Sequence, residues 1–372
     1  MRRLRQRGAD DSGAIAVLVA ILLSSGLLLG MSALVIDVGL LADEREQLQS
    51  GADSAAWGVA QACISEPADC AAQGQLAASL ANANSRDERA GVTLDVCTDL
   101  CDLRPRDRIS PCQDLAPGFA ASYAEVRTST ETADGATVLP PRVAQGLIGG
   151  QNTGTQVNAC SQVAWGLPGT LQVFGLGISV CDVQNADLYG VPGISPATRQ
   201  HSGIVPGDLD PPAQGDDQTF VPLDLLSPVT CASAGLNLPQ GFAWLGNTQN
   251  CSVTVARGDA APIVGAPTAA CRNALATIRN EHEPVLVPVY RGNPTLTSVR
   301  VVGFAVLVVT GHRGLIVPAD QTSWLGGTTP TVLECLLQVC FSGYFSKMLV
   351  PRAQPEFVTG ADYGVTVMGR IG

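Results

Sequence analysis

Ser12-Gly-Ala-Ile-Ala-Val-Leu-Val-Ala-Ile-Leu-Leu-Ser-Ser-Gly-Leu-Leu-Leu-Gly-Met-Ser-Ala-Leu-Val-Ile36 contains no charged residue. About 20 helical residues at 1.5 Å each cross a hydrocarbon core of roughly 30 Å, so this stretch is long enough for a membrane-spanning helix. Arg2, Arg3, Arg5 and Arg7 precede it, and Asp37, Asp43, Glu44 and Glu46 follow it. The positive-inside rule then places the amino terminus in the cytoplasm and the bulk of the chain outside the cell membrane, in a single pass. The rival is a cleavable signal peptide. That would need an apolar core of about 7–15 residues ending at a small-x-small site. The uncharged stretch is longer than that, and Gly30-Met31-Ser32 is a poor site.

Working outward, Leu40, Leu41, Leu48, Ala52, Ala55, Ala56 and Val59 recur near a helical period, with Glu44, Arg45, Glu46, Gln47 and Asp53 between them. No proline interrupts before Pro67. The pattern predicts one helix from Ser12 to about Cys63, with its first half in lipid and its second an exposed stalk. An apolar stripe outside lipid must pack on something, either the exported domain or another subunit. Gly26 and Gly30 form a small-xxx-small pair that would let two membrane helices approach closely, so they are candidates for helix association. Asp53, with Ala52, Ala55 and Ala56, is the candidate contact on the stalk. The expected organisation is a basic tip at 1–11, a transmembrane helix at 12–36, a helical stalk at 37–62 and an extracytoplasmic domain at 63–372.

Three pieces of this segment resemble a known family. They are Asp11-Ser-Gly-Ala14, Val35-Ile-Asp-Val-Gly39 and Gln47-Leu-Gln-Ser-Gly-Ala-Asp-Ser-Ala-Ala56. Together they are similar to the amino-terminal segment of Tad-type (TadE/TadG-like) Flp pilus-assembly proteins. Pro284–Tyr290, Val301–Gly311 and Cys340–Phe345 resemble actinobacterial members of that group. The resemblance implies a membrane-anchored, surface-facing accessory of a pilus or type-IV-like secretion system, with no catalytic residue. Its partners would be the lipid bilayer, other pilus-assembly subunits, or a second copy through the amino-terminal helix. Two family features are missing. Pilin-like processing after Gly13 would call for a glutamate at the fifth mature position, where Leu18 stands. The Asp-x-Ser-x-Ser metal motif of longer relatives is absent from the sequence.

Twelve cysteines all follow the apolar segment: Cys63, Cys70, Cys97, Cys101, Cys112, Cys160, Cys181, Cys231, Cys251, Cys271, Cys335 and Cys340. An even number confined to the exported side reads as disulfides formed in an oxidising compartment. Cys63 and Cys70 flank Glu66-Pro67-Ala68, where the long helix turns into a second one (about Ala68 to Asn84). Cys335 and Cys340 are spaced to close a small loop, and the other pairings stay open. Structural zinc sites favour Cys-x2–4-Cys pairs with a second matching pair or histidines. Cys97-x3-Cys101 and Cys335-x4-Cys340 come closest, but neither has the common two-residue spacing, so disulfides are the expected reading.

Downstream, Gly91–Val96, Tyr123–Thr130 and Val157–Val163 alternate as strands. Val285–Tyr290 and Val299–Thr310 flank Arg291-Gly-Asn-Pro294 as a hairpin. Its second arm is valine-rich and too short to span a bilayer, so it reads as a buried core strand. The expected fold class is α+β: a mostly antiparallel, disulfide-linked β domain with a few helices behind the membrane helix.

Composition narrows the function. Only 15% of the 372 residues are charged, against roughly 25% typically, and 46% are hydrophobic, so the chain is not disordered. A net charge of −11 leaves no basic footprint for nucleic acid outside the tip. His201, His282 and His312 lie in no ligand spacing. The chain has no Gly-x-Ser-x-Gly elbow, and its one lysine, Lys347, stands outside any phosphate loop. Gly175-Leu-Gly177 reads as a strand bend. Asp208, Asp210, Asp216 and Asp217 read as an acidic loop, with calcium as the alternative. No cofactor, metal or catalytic group is expected. The expected role is a non-enzymatic, membrane-anchored structural or accessory component of a Tad/Flp-type pilus or related secretion system. The alternative is a membrane-tethered binding module, such as an adhesin or envelope-ligand receptor, which would bind cells or glycans as an isolated domain.

Overall fold

The structure, a computed structural model, describes residues 12–24, 26–98, 112, 121–132, 134–143, 154–183, 219–222, 241–246, 251–264, 267–292, 297–313, 324 and 340–371. Its amino-terminal segment is two helices, α1 (Ser12–Ser24) and α2 (Leu27–Ser65). Gly26 separates them with φ 69 and ψ 3, a left-handed conformation that stops a helix and that glycine adopts without a Cβ penalty. The single continuous helix from Ser12 to Cys63 is therefore corrected. Among the described residues no helix is long and apolar enough to cross a membrane. The 13 residues of α1 reach only about 20 Å, and the apolar start of α2 ends at Asp37, after Ile36.

The carboxyl half of α2 is not an exposed stalk. Ala52, Ala55, Ala56, Val59 and Ala60 are fully buried, the last four in one cluster with Ala124, Val126, Val163 and Trp165 of the domain. The stripe seen in the sequence has its partner within the same chain. Small side chains allow this, because a helix lined by alanine approaches a sheet closely and excludes water along its length. A 3-10 turn (Pro67–Ala72) and α3 (Gly74–Ala83) replace the expected single second helix and fold back along α2. Here glycine is needed for close approach. A Cβ on Gly51 would lie 3.0 Å from the Ala81 carbonyl oxygen, and one on Gly58 would collide with Leu80.

Fifteen strands follow among the described residues: β1 (Gly91–Cys97), β2 (Ser122–Ser129), β3 (Asn158–Pro168), β4 (Thr170–Phe174), β5 (Leu176–Ser179), β6 (Thr219–Pro222), β7 (Phe242–Leu245), β8 (Ser252–Ala256), β9 (Ala260–Val264), β10 (Pro284–Arg291), β11 (Ser298–Arg313), β12 (Cys340–Ser346), β13 (Met348–Pro351), β14 (Phe357–Val358) and β15 (Val365–Arg370), with α4 (Ala269–Glu281) before β10. A six-stranded sheet runs β1-β2-β3-β15-β13, with β14 also on β3. A seven-stranded sheet runs β10-β5-β7-β9-β11-β12-β6, and β10 also pairs with β11. The strands between those two thereby close into a ring without free edges. A separate ribbon joins β4 to β8. Most pairings are antiparallel; β13–β15 and β5–β10 are parallel.

Alternation assigns the layers. On β15, Met368 joins the α2 cluster, whereas Val365 and Val367 point the other way, into a cluster with Val301, Phe304 and Val306 of β11. On β11 the intervening Ala305, Leu307 and Val309 face Cys271 and Leu275 of α4. The order is α2 and α3, the six-stranded sheet, the seven-stranded sheet, then α4. Each fully buried Val, Leu or Phe contributes about 1.5–3 kcal/mol, and both faces of β11 are filled with them. The expected hairpin is β10–β11, pairing Pro284 with Val308 through Val289 with Gly303 before a bulge. Gly175 is the expected bend, between β4 and β5.

Disulfides join Cys63 to Cys70, Cys112 to Cys160, and Cys251 to Cys271. Cys97 and Cys181 are also disulfide-bonded, and no described cysteine is free. Cys101, Cys231 and Cys335, His201, and the acidic loop from Asp208 to Asp217 lie outside the described residues, as does the side chain of Cys340.

Candidate assembly interface

Among the described residues, the exposed large apolar side chains lie on the amino-terminal arm. Ile15, Leu18 and Ile21 of α1, and Met31, Leu34 and Val35 of α2, each leave more than half of their surface open, with Val35 at 71%. Large exposed apolar patches characteristically mark partner or membrane contacts, which makes this run on two successive helices the candidate interface. Gly30 lies on the arm with open space where a Cβ would be, and its N–H donates to the Gly26 carbonyl at 2.8 Å. Gly26 itself is the break between the helices, so the two glycines do not form one seam on a continuous helix.

Where the arm meets the domain, side chains of α2 clasp two loops. Asp37 Oδ1 accepts the backbone N–H groups of Arg142 at 3.0 Å and Val143 at 3.1 Å. One turn and a half later, Asp43 pairs with Arg86 at 3.0 Å. Gln47 donates to Asp43 at 2.9 Å and accepts the Arg86 N–H at 2.7 Å. These contacts frame an open groove of ≈ 660 Å³. Its floor is mixed: Leu40, Leu41, Leu139 and Pro140 supply apolar surface, and Asp43, Glu44 and Asp87 supply carboxylates. Partial burial raises the Glu44 carboxyl above its ordinary range; the charges of Asp87 and Asp43 add to this, and a Thr130 hydrogen bond opposes it.

Asp53 lies deeper, at the α2–sheet junction. It accepts from Gln49 at 2.9 Å and pairs with Arg370 of β15 at 2.9 Å. Gln49 also donates to the Cys160 carbonyl at 3.0 Å, and the Thr128 hydroxyl donates to the Leu48 carbonyl at 2.8 Å. Ser54 donates to the Gly51 carbonyl and receives the Asn84 amide at 2.8 Å. The Gln47–Ala56 segment thus joins α2 to the sheet and to α3. Asp37, Gln49 and Arg370 were missed from the sequence. The one usable signal was Asp37, a single carboxylate ending a long apolar run.

Among the described residues, one group has the spacing of metal ligands, Cys112, Glu125 and Cys160, and its two cysteines are joined to each other. Glu125 is fully buried and serves the fold, accepting from Arg127 at 2.6 Å and Gln162 at 2.8 Å. His282 caps α4 in a left-handed turn and stacks on Trp324 at 3.9 Å. His312 is buried at the end of β11. Tyr290, whose hydroxyl donates to the Gly241 carbonyl at 3.1 Å, has its pKa raised by burial, with the Asp182 charge adding to it. Ser252 receives the Gln172 amide at 2.8 Å.

No curated protein and no solved structure matches the chain. The family model for putative Flp pilus-assembly TadE/G-like proteins does, at residues 13–62 of 372. That span holds the apolar arm, the acidic residues at its base and the buried half of α2, and it ends at Ala62, one residue before the first disulfide. Over residues 13–62 this chain is similar to the TadE/G-like Flp pilus-assembly family.

Proposed function

We propose that the protein is a membrane-associated, non-enzymatic component that works with other subunits of an Flp-type pilus or related secretion machine. The exposed apolar surface of α1 and the start of α2 carries this reading. In lipid, the two helices in tandem replace the single straight span expected from the sequence, with Gly26 as their joint. The arginines before α1 and the carboxylates after Ile36 favour a cytoplasmic tip and an extracytoplasmic domain. The disulfides agree with an oxidising compartment. A bilayer satisfies the arm because every large side chain there is apolar and the backbone is helical. The same arm could also pack on a second copy or a partner helix within the membrane.

Alkaline extraction of membranes from cells making the full chain tests the proposal. Retention in the pellet, with loss of retention when Leu18, Leu34 and Ile36 are changed to Asp, is the expected result. A chain that leaves the membrane with peripheral proteins defeats it.

A further inference from the structure

The groove at the base of the arm has a composition that selects its occupant. We infer that it docks a cationic amphipathic segment of a partner protein, one that presents arginine or lysine beside leucine-like side chains. Leu40, Leu139 and Pro140 form a strip for the apolar side of such a segment, and Asp43, Glu44 and Asp87 lie beside it for the cations. A second pocket of ≈ 400 Å³ shares Asp87 and continues the surface past Glu88 and Glu131. The two pockets together are lined by six carboxylates and three guanidiniums. One of the three, Arg86, is already paired with Asp43. The excess is negative and local, and it abuts apolar surface, which is the complement of a basic amphipathic helix.

Position and electrostatics support the assignment. The groove lies immediately beyond the exposed arm, so a partner held beside that arm meets this surface next. Three carboxylates crowd at Glu44, with Asp87 and Asp43 raising its pKa after burial does. An incoming cation would relieve that repulsion, so binding weakens as salt screens it. The Asp37 clasp on Arg142 and Val143 holds the apolar wall in place before a partner arrives. This inference names the chemistry of a partner in the assembly role proposed above, and rests on that role.

The test uses the full-length chain in a nonionic detergent, so it does not depend on membrane retention. The probe is a fluorescein-labelled amphipathic helix peptide of Leu and Arg, with a Leu and Glu peptide of equal length as control. Anisotropy should show binding of the Arg peptide alone, weakened roughly tenfold by Asp43→Asn, Glu44→Gln and Asp87→Asn together, and weakened again by salt. If the triple variant fails to fold, Asp87→Asn alone, on an exposed turn, should still weaken binding about threefold. Equal binding by the folded variant overturns the inference. So does a groove that takes calcium or phosphatidylcholine vesicles through the same three residues and ignores the Arg peptide. Failure of the membrane extraction sinks the anchoring, whereas failure here sinks only the groove.

Discussion

Arg370 on the last strand reaches Asp53 in the middle of α2 at 2.9 Å, across 317 positions of sequence. This contact joins the matched family segment to the sheet behind it. Both side chains are partly open to water, so the pair orients the helix more than it stabilises it. A double-mutant cycle on Asp53→Ala and Arg370→Ala, read by urea unfolding, should give a coupling energy of about 0.5 kcal/mol. A coupling near zero would mean that the packed alanines alone set the position of α2.

Close approach of α2 and α3 depends on missing side chains. Gly51→Val should cost about 2 kcal/mol, because the group in the way is a backbone carbonyl that cannot rotate aside. Gly39→Ala, in the same helix with open space around it, should gain about 1 kcal/mol. Thermal unfolding of the two variants should therefore move in opposite directions.

The Cys63–Cys70 bond closes the turn that leaves α2, over a sequence separation of 7. A loop this short gives a small entropic gain, so replacing both cysteines by alanine should cost about 2 kcal/mol. The variant should unfold earlier in calorimetry while keeping its β-sheet spectrum. Loss of the whole fold would show that this bond guides folding as well as stabilising its product.

Glu44 predicts a pH dependence with a definite sign. Its carboxyl is raised above the value of 4.5 it has in an open chain. The folded state then binds its proton more readily than the unfolded state does. Its contribution to stability falls as pH rises from 4.5 through the raised value, and the penalty is relieved on acidification. Glu44→Gln should raise the melting temperature at pH 7, and the difference should vanish below about pH 4.5. A difference that is constant across this range would trace the effect to lost contacts, not to charge.

Several elements were legible because their cause is local. The helical repeat from Leu40 to Val59 follows from side-chain period, and so do the alternating strands at Gly91 and Tyr123 and the valine-rich arm of the Val285–Thr310 hairpin. Others were not. The break at Gly26 occurs inside an unbroken apolar run, where hydropathy is blind to a backbone turn. The strands β4 to β9 are short and surrounded by glycine and proline, too brief for any period to stand out.

By itself the sequence determined that a charge-free amino-terminal segment leads into an amphipathic helix, that the cysteines belong on one side of it, and that the remainder is α+β. Those features depend on neighbours a few residues apart. Only the tertiary structure decided that the apolar stripe of α2 is buried by its own chain, that Asp53 meets Arg370, and that Asp43, Glu44 and Asp87 share a groove. These depend on pairings such as β3 with β15, which bring together residues about two hundred positions apart. Such pairings are fixed by how whole layers fit together, and no local pattern records that fit.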